Sequence, residues 1–151
     1  MVRITSATEE NVLKILEIER EAISPPWSHG ALLDEISRDD SFFAVAVGDS
    51  SQLLGFVILR RMGNEGELLQ IAVDKAVRRR GIAYELVEAA IGFAAASALG
   101  AVHLEVRKSN EAAIALYKKH GFSSVRHRRD YFDSPVEDAV VMSRELTGES
   151  R

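Results

Sequence analysis

Apolar positions along the chain switch between two spacings, and the switches mark out its elements. Val2 to Ser6 alternates as a short strand. Val12, Ile15, Leu16 and Ile23 then follow helical spacing behind Thr8, a residue type that caps helix starts. Ser24-Pro25-Pro26 stops this helix, because proline disfavours helical geometry in the residue before it. Ser28 can cap a second, short helix reaching about Arg38, with Leu32, Leu33 and Ile36 inward. Three apolar runs follow, Phe42 to Val47, Leu53 to Arg60 and Glu67 to Val73. They are separated by Gly48-Asp49-Ser50 and Gly63-Asn64-Glu65-Gly66, turn-rich segments that predict an antiparallel meander.

A long helix is expected from about Gly81 to Leu99, with Ala83, Leu86, Val87, Ala90, Ile91, Ala94 and Ala98 as its apolar stripe and Gly100 at its end. Strand Val102 to Val106 follows, then a helix from about Asn110 to His120 whose last turn carries Lys118 and Lys119 before Gly121. Two strands, about Ser123 to Arg129 and Glu137 to Arg144, close the pattern around a loop containing Pro135. The central strand–helix–strand unit should be parallel and right-handed, and the other pairings antiparallel. The prediction is an α/β fold of the α+β type: a mixed, mostly antiparallel sheet of about seven strands with helices on both faces.

Composition narrows the function without naming it. At 151 residues, 46% hydrophobic and 28% charged, the chain has the length and balance of one soluble domain. Net charge is 19 − 23 = −4, which argues against a nucleic-acid partner. Local basic islands at Arg78-Arg79-Arg80 and Arg126-His127-Arg128-Arg129 suit a small anion better than a polyanion. The absence of cysteine excludes disulfides, thiolate metal sites and a covalent cysteine intermediate, and fits a reducing cytoplasm. The four histidines show no metal-ligand spacing, so no metal is expected. Met1 to Ile4 lacks the apolar run of a signal peptide, and the uncharged stretch Ala89 to Val102 is shorter than the roughly 20 residues a membrane span needs. No Gly-x-Ser-x-Gly supports a serine hydrolase.

The most informative segment is Ile71-Ala72-Val73-Asp74 followed by Arg78-Arg79-Arg80-Gly81-Ile82-Ala83. Here a strand runs into a basic loop and the loop into a helix start, where unpaired N–H groups and the positive dipole end collect. Gly81 lets a ligand approach the backbone and Ala83 keeps the approach open, so a pyrophosphate is the natural guest. The alternative is a solvated arginine run that merely precedes a helix. Neither a Gly-rich Lys-Ser/Thr phosphate loop nor a Gly-x-Gly-x-x-Gly fingerprint is present.

Arg78-x-x-Gly81-x-Ala83 behind Ile71-Ala72-Val73 resembles the acetyl-CoA signature of the GNAT superfamily. Leu104-Glu105-Val106-Arg107-x-Ser109-Asn110, Ala113-Ile114-x-Leu116-Tyr117 and Gly121-Phe122 extend the likeness. So do Ser24-Pro25-Pro26-Trp27-Ser28, Arg129-x-Tyr131-Phe132 and Glu137 to Met142, which are similar to the RimI-like subgroup of ribosomal-protein alanine and other N-terminal acetyltransferases. Two departures are Ala83 in place of the commoner glycine and Asp74-Lys75-Ala76, which lacks a proline often found after the aspartate. The resemblance covers nearly the whole chain. It implies a GNAT-like sheet and a single acetyl-CoA-dependent N-acetyltransferase domain over residues 1–146, while Thr147-Gly148-Glu149-Ser150-Arg151 reads by itself as a frayed tail.

The same resemblance implies acetyl-CoA as co-substrate and a protein or peptide N-terminus as acceptor, with direct transfer in a ternary complex. It assigns cofactor binding to Arg78, Arg79, Arg80, Gly81, Ile82, Ala83 and Tyr84, to Asn110, and to the backbone of Ile71, Ala72 and Val73. Glu105 matches the family's general base and Tyr117 its general acid. Trp27 and Tyr131 match the acceptor side. Each has a plainer reading beside it: a carboxylate on a polar strand face for Glu105, a core aromatic for Tyr117, a helix cap for Asn110, and packing beneath loops for Trp27 and Tyr131. A small-molecule or lysine amine as acceptor, and a non-catalytic acetyl-CoA-binding module, remain alternatives.

Overall fold

The computed structural model describes residues 1–146; the segment 147–151, expected to be a frayed tail, lies outside the described residues. Strand β1 (Arg3–Ser6) leads through a short 3-10 turn, Glu9–Asn11, into α1 (Val12–Ala22). Thr8 precedes that turn, and its backbone N–H donates to the Asn11 side chain at 2.8 Å. Ser28 caps α2 (His29–Ile36) as expected, its hydroxyl accepting from the Ala31 N–H at 3.1 Å.

Strands β2 (Ser41–Val47), β3 (Leu53–Met62) and β4 (Glu65–Val73) form the antiparallel meander. Its second turn is only Gly63-Asn64, with Gly63 at φ 64° and Met62 paired to Glu65. Glu65 and Gly66, expected in the turn, belong to β4. Gly66 is packed so that a Cβ there would meet Leu99 at 3.2 Å. One irregularity in this ladder shapes the site. Ile58 pairs with Gln70 and Leu59 with Leu68, so Leu69 is an extra residue. Such a bulge breaks strand alternation and re-aims side chains. Leu69 packs with the core beneath α1 and α2, and Gln70, next in sequence, reaches Glu19 on α1.

After β4 come α3 (Ile82–Ala96), β5 (Ala101–Arg107), α4 (Glu111–Lys119), β6 (Ser123–Phe132) and β7 (Glu137–Glu145). The seven strands form one mixed sheet in the order β1-β2-β3-β4-β5-β7-β6, in which only β4 and β5 pair in parallel. Leu59, Leu68, Leu86, Val102 and Leu104 form the core on the α3–α4 face. Ile15, Leu32, Phe43, Phe56 and Ile58 form the core on the α1–α2 face. These features, a seven-stranded mostly antiparallel sheet with helices on both faces, are those expected.

The long helix ends earlier than expected. Ala98, not Gly100, takes the left-handed conformation, at φ 58°. Leu99 N–H donates to Ala94 O and Ala98 N–H to Ala95 O, the paired bonds of a Schellman cap, while the Leu99 side chain is buried. Replacing Ala98 with Gly removes about 1–2 kcal/mol of left-handed strain and adds about 0.5–1 kcal/mol of chain entropy. Denaturant unfolding of Ala98→Gly is expected to show a gain of about 0.5–1 kcal/mol.

Candidate active site

The pairing of β4 with β5 supplies the site's shape. The two strands share only the rungs Gly66↔Val102 and Glu67↔His103. Beyond them β4 runs on to Val73, still paired with β3, and β5 runs on to Arg107, paired with β7. The β4 edge from Gln70 to Val73 therefore has no strand partner on the β5 side. Backbone N–H and C=O groups left this way need a partner from elsewhere.

A cleft of about 630 Å³ opens along that edge, lined by Ile71, Ala72, Val73, Asn110 and Tyr117 among others. It shares Val73, Arg78, Ala83, Leu116 and Lys119 with a second cleft of about 390 Å³ beside Arg79, Gly81, Ile82 and Tyr84. Together they make an elongated groove from the basic loop to the β4 edge. At its loop end, Gly81 is the N-cap of α3 at φ 77°, with nothing within 4 Å of where a Cβ would stand. Arg79 is also left-handed, at φ 67°. Loops of this kind gather successive amide N–H groups into an anion-binding concavity, and the α3 dipole adds to it.

The basic residues divide their work. Arg78 folds back: its Nε donates to Val73 O at 3.2 Å and its Nη2 to Glu21 at 3.2 Å. Arg80 lines a separate depression with Met1 and Asp49, away from Arg78 and Arg79. Lys119, read from sequence only as a helix-end charge, stands on both halves of the groove. The side chain of Ile82 is core, so only its backbone faces the ligand problem. Tyr84 is partly exposed and lies against the His120 ring at 4.3 Å. Asn110 does cap α4, its side-chain oxygen accepting from Ala113 N–H at 3.1 Å, and its amide group also borders the groove.

Tyr117 sits inside this groove, 5% exposed, its ring 5.8 Å from that of Phe122. Burial pushes its phenol well above the ordinary tyrosine range. Tyr117 is therefore a core aromatic whose hydroxyl stays protonated.

Glu105 lies across the β4–β5 opening from Tyr117. His103, Glu105 and Arg107 alternate with the core residues Val102, Leu104 and Val106, so they point to the α1–α2 face. Glu105 lines a different cleft, about 470 Å³, with Glu67, His103 and Arg126. It accepts from Arg128 Nη1 at 3.1 Å, and Arg128 in turn lies 4.5 Å over the Tyr131 ring. Partial burial and the nearby Glu105 charge raise the Tyr131 phenol. Glu67 is a neighbour that sequence reasoning missed. Burial first, then hydrogen bonding to Glu105 and its charge, raise the Glu67 carboxyl. Nothing in the one-dimensional pattern marks Glu67; it becomes visible only when the parallel rung places it beside His103 and Glu105.

Trp27 is not brought to this cleft. It lines a groove of about 400 Å³ with Ala31, Glu35 and Arg60. Its backbone N–H donates to Glu19 at 3.0 Å, and its indole N–H to the Gln70 side-chain oxygen at 2.8 Å. The Gln70 amide nitrogen completes the circuit to Glu19. Both Glu19 and Gln70 are buried, so Trp27 is anchored from beneath.

A split sheet, a left-handed glycine opening the central helix and a groove along an unpaired β4 edge define an N-acetyltransferase of the acetyl-CoA-dependent kind. The chain belongs to the acetyltransferase (GNAT) family, whose pattern it matches over residues 12–122. It is 31% identical over 143 residues to the ribosomal protein bS18-alanine N-acetyltransferase of Haemophilus ducreyi, covering 93% of this chain and 97% of that one. It is 32% identical over 150 residues to the N-alpha-acetyltransferase RimI of Mycobacterium tuberculosis, covering 95% and 92%. Its fold superposes on the crystal structure of the ribosomal-protein-S18-alanine N-acetyltransferase from Escherichia coli with a TM-score of 0.88 and 29% identity, covering 100% and 99%.

Proposed function

We propose that this enzyme transfers an acetyl group from acetyl-CoA to the N-terminal α-amine of a protein, with the N-terminal alanine of ribosomal protein S18 as acceptor. The observation that carries the reading is the placement of Tyr117 and Glu105 in separate clefts on the two sides of the β4–β5 opening. Acetyl transfer to an amine needs a proton taken from the nitrogen on one side of the carbonyl and hydrogen bonding to the leaving sulfur on the other. The similarity to bS18-alanine acetyltransferases over more than nine-tenths of the chain supports the acceptor. A ribosomal acceptor implies a cytoplasmic site of action.

The groove fits the co-substrate on its own features. The left-handed Arg79 and Gly81 and the first N–H groups of α3 would hold the diphosphate, with Arg79 and Lys119 at its flanks. Arg78, tied to Val73 O and Glu21, braces the loop. Ala83, Tyr84 and Asn110 line the path, and the edge at Ile71, Ala72 and Val73, which has no strand partner on this side, would pair with the amide-bearing arm. Acetyl-CoA supplies an activated acetyl group on a thiol leaving group. A β4 N–H aimed at the thioester oxygen would stabilise charge developing there, an effect worth about 2.7–4 kcal/mol in comparable oxyanion sites.

Glu105 receives the amine's proton, with Arg128 and Tyr131 fixing its position. Tyr117 donates a hydrogen bond toward the departing sulfur. A thiol of ordinary acidity, near pKa 8.5, leaves fairly well unaided, so Tyr117→Phe is expected to lower kcat only about tenfold. Its acetyl-CoA dissociation constant should stay within about twofold, since the phenol acts mainly as the sulfur departs. An unchanged kcat would remove Tyr117 from the reaction.

The acceptor is tested by incubating the protein with acetyl-CoA and short peptides. Because the chain has no cysteine, a thiol reagent reads released CoA without protein background. Release with an N-terminal alanine peptide, and a product acetylated at its α-nitrogen, is the expected result. Release only with lysine side chains or small amines would overturn the α-amine assignment.

A further inference from the structure

We infer that Arg107 is a positioning residue that fastens the loop between α1 and α2 to the β6–β7 loop on the Glu105 face of β5, so that a peptide approaching Glu105 meets a roof already assembled. The inference rests on acetyl transfer to a peptide N-terminus as proposed above. Arg107 stands two residues beyond Glu105 on the same face of β5. Its Nη2 donates to Ser24 O, in the segment between α1 and α2, at 2.9 Å, and to Asp133 O, in the β6–β7 loop, at 3.0 Å. Its Nη1 donates to Pro135 O at 2.9 Å and to Glu137 at 3.3 Å. The guanidinium also lies 4.6 Å over the Phe132 ring. A direct bond joins the same loops, from Ser24 Oγ to Ser134 O at 2.6 Å.

Three backbone carbonyls from two loops far apart in sequence thus converge on one side chain that is only 20% exposed. No strand or helix satisfies those carbonyls, and loops without such ties are mobile. The planar fork of arginine reaches several acceptors while its face stacks on an aromatic ring, an arrangement lysine cannot reproduce. The anchoring of Trp27 by Glu19 and Gln70 holds the far end of the first loop. Tyr131 and Arg128, which meet Glu105, lie on the strand that leads into the second. Without Arg107, an incoming peptide would have to order both loops as it binds, and that cost falls on acceptor affinity.

Arg107→Ala is therefore expected to raise KM for an alanine-terminated peptide about tenfold or more, with kcat and the acetyl-CoA KM within about twofold. Arg107→Lys should behave nearly as badly, and added guanidinium ion should lower the peptide KM of Arg107→Ala but not of the wild type. Amide hydrogen exchange should quicken at residues 23–28 and 132–136, with β3 and β5 unchanged. Should the alanine variant fail to fold, Arg107→Lys carries the same readouts. Unchanged exchange in both loops, or an unchanged peptide KM beside an active wild type, overturns the inference. A wild type that acetylates no peptide would instead sink the acceptor assignment, and the exchange measurement would still decide the role of Arg107.

Discussion

Replacing Glu105 with Gln is expected to lower kcat about 100-fold at pH 7 while acetyl-CoA affinity stays within about twofold. The size follows from what the amine lacks at that pH. An α-ammonium group of pKa about 7.7–8 is roughly nine-tenths protonated at pH 7, so about tenfold is lost if nothing local removes that proton. The rest reflects the proton the nitrogen must shed as the new bond forms, which raising the pH does not supply. The deficit should accordingly shrink to about tenfold at pH 9, where the amine is already free. Gln keeps the size of the side chain but gives up the negative charge that meets Arg128. Glu67 supplies the competing assignment, because its carboxyl lies against Glu105. Burial and the Glu105 charge raise the Glu67 carboxyl, which would strengthen it as a base, so the assignment to Glu105 rests on its match to the family's base position. Glu67→Gln is expected to cost less than Glu105→Gln. A larger loss at Glu67 would transfer the base role to it.

How far the chain discloses this site depends on the range of the interaction concerned. The strand–loop–helix from Ile71 to Ala83 is local, so its left-handed glycine and helix start are written in consecutive residues. The same holds for the Asn110 cap and for the alternation that turns Glu105 away from the core. Features that depend on register are not written there. The extra residue Leu69 is defined only by what lies opposite it on β3, and with it the inward turn of Gln70 toward Glu19. The pairing of Glu67 with His103 requires the parallel rung. The strand β6 continues past Arg129 to Phe132 because β7 receives it across two register shifts, which carries Tyr131 onto the sheet edge rather than into a loop. Arg107 reads as one more polar residue on an alternating strand until the two loops fold over it. Trp27 reads from sequence as a candidate for the acceptor entry, and in the fold its half-buried indole N–H is spent on the buried Gln70.

That buried circuit carries the second large effect. Glu19 is fully buried, and desolvation pushes its carboxyl up to about 7, against the opposing pull of the hydrogen bonds from Trp27 and Gln70. In the unfolded chain the same group titrates near 4.5. Between those values the folded protein keeps a proton that the unfolded chain gives up, so stability must fall as pH rises through the window and level off above it. A shift of that size corresponds to about 3 kcal/mol. Other carboxylates titrate in the opposite sense, among them Asp138, held low by the Asp130 N–H and by His127. The expected quantity is therefore a difference: the unfolding free energy of the wild type minus that of Glu19→Gln should drop by about 3 kcal/mol from pH 4 to pH 8. Denaturant titrations of both proteins across that range measure it. A difference that does not change with pH would mean that Glu19 titrates alike in the folded and unfolded chains, so that burial does not hold its proton. Trp27 would then be held by a carboxylate already charged well below neutrality rather than by one that forms as the medium approaches it.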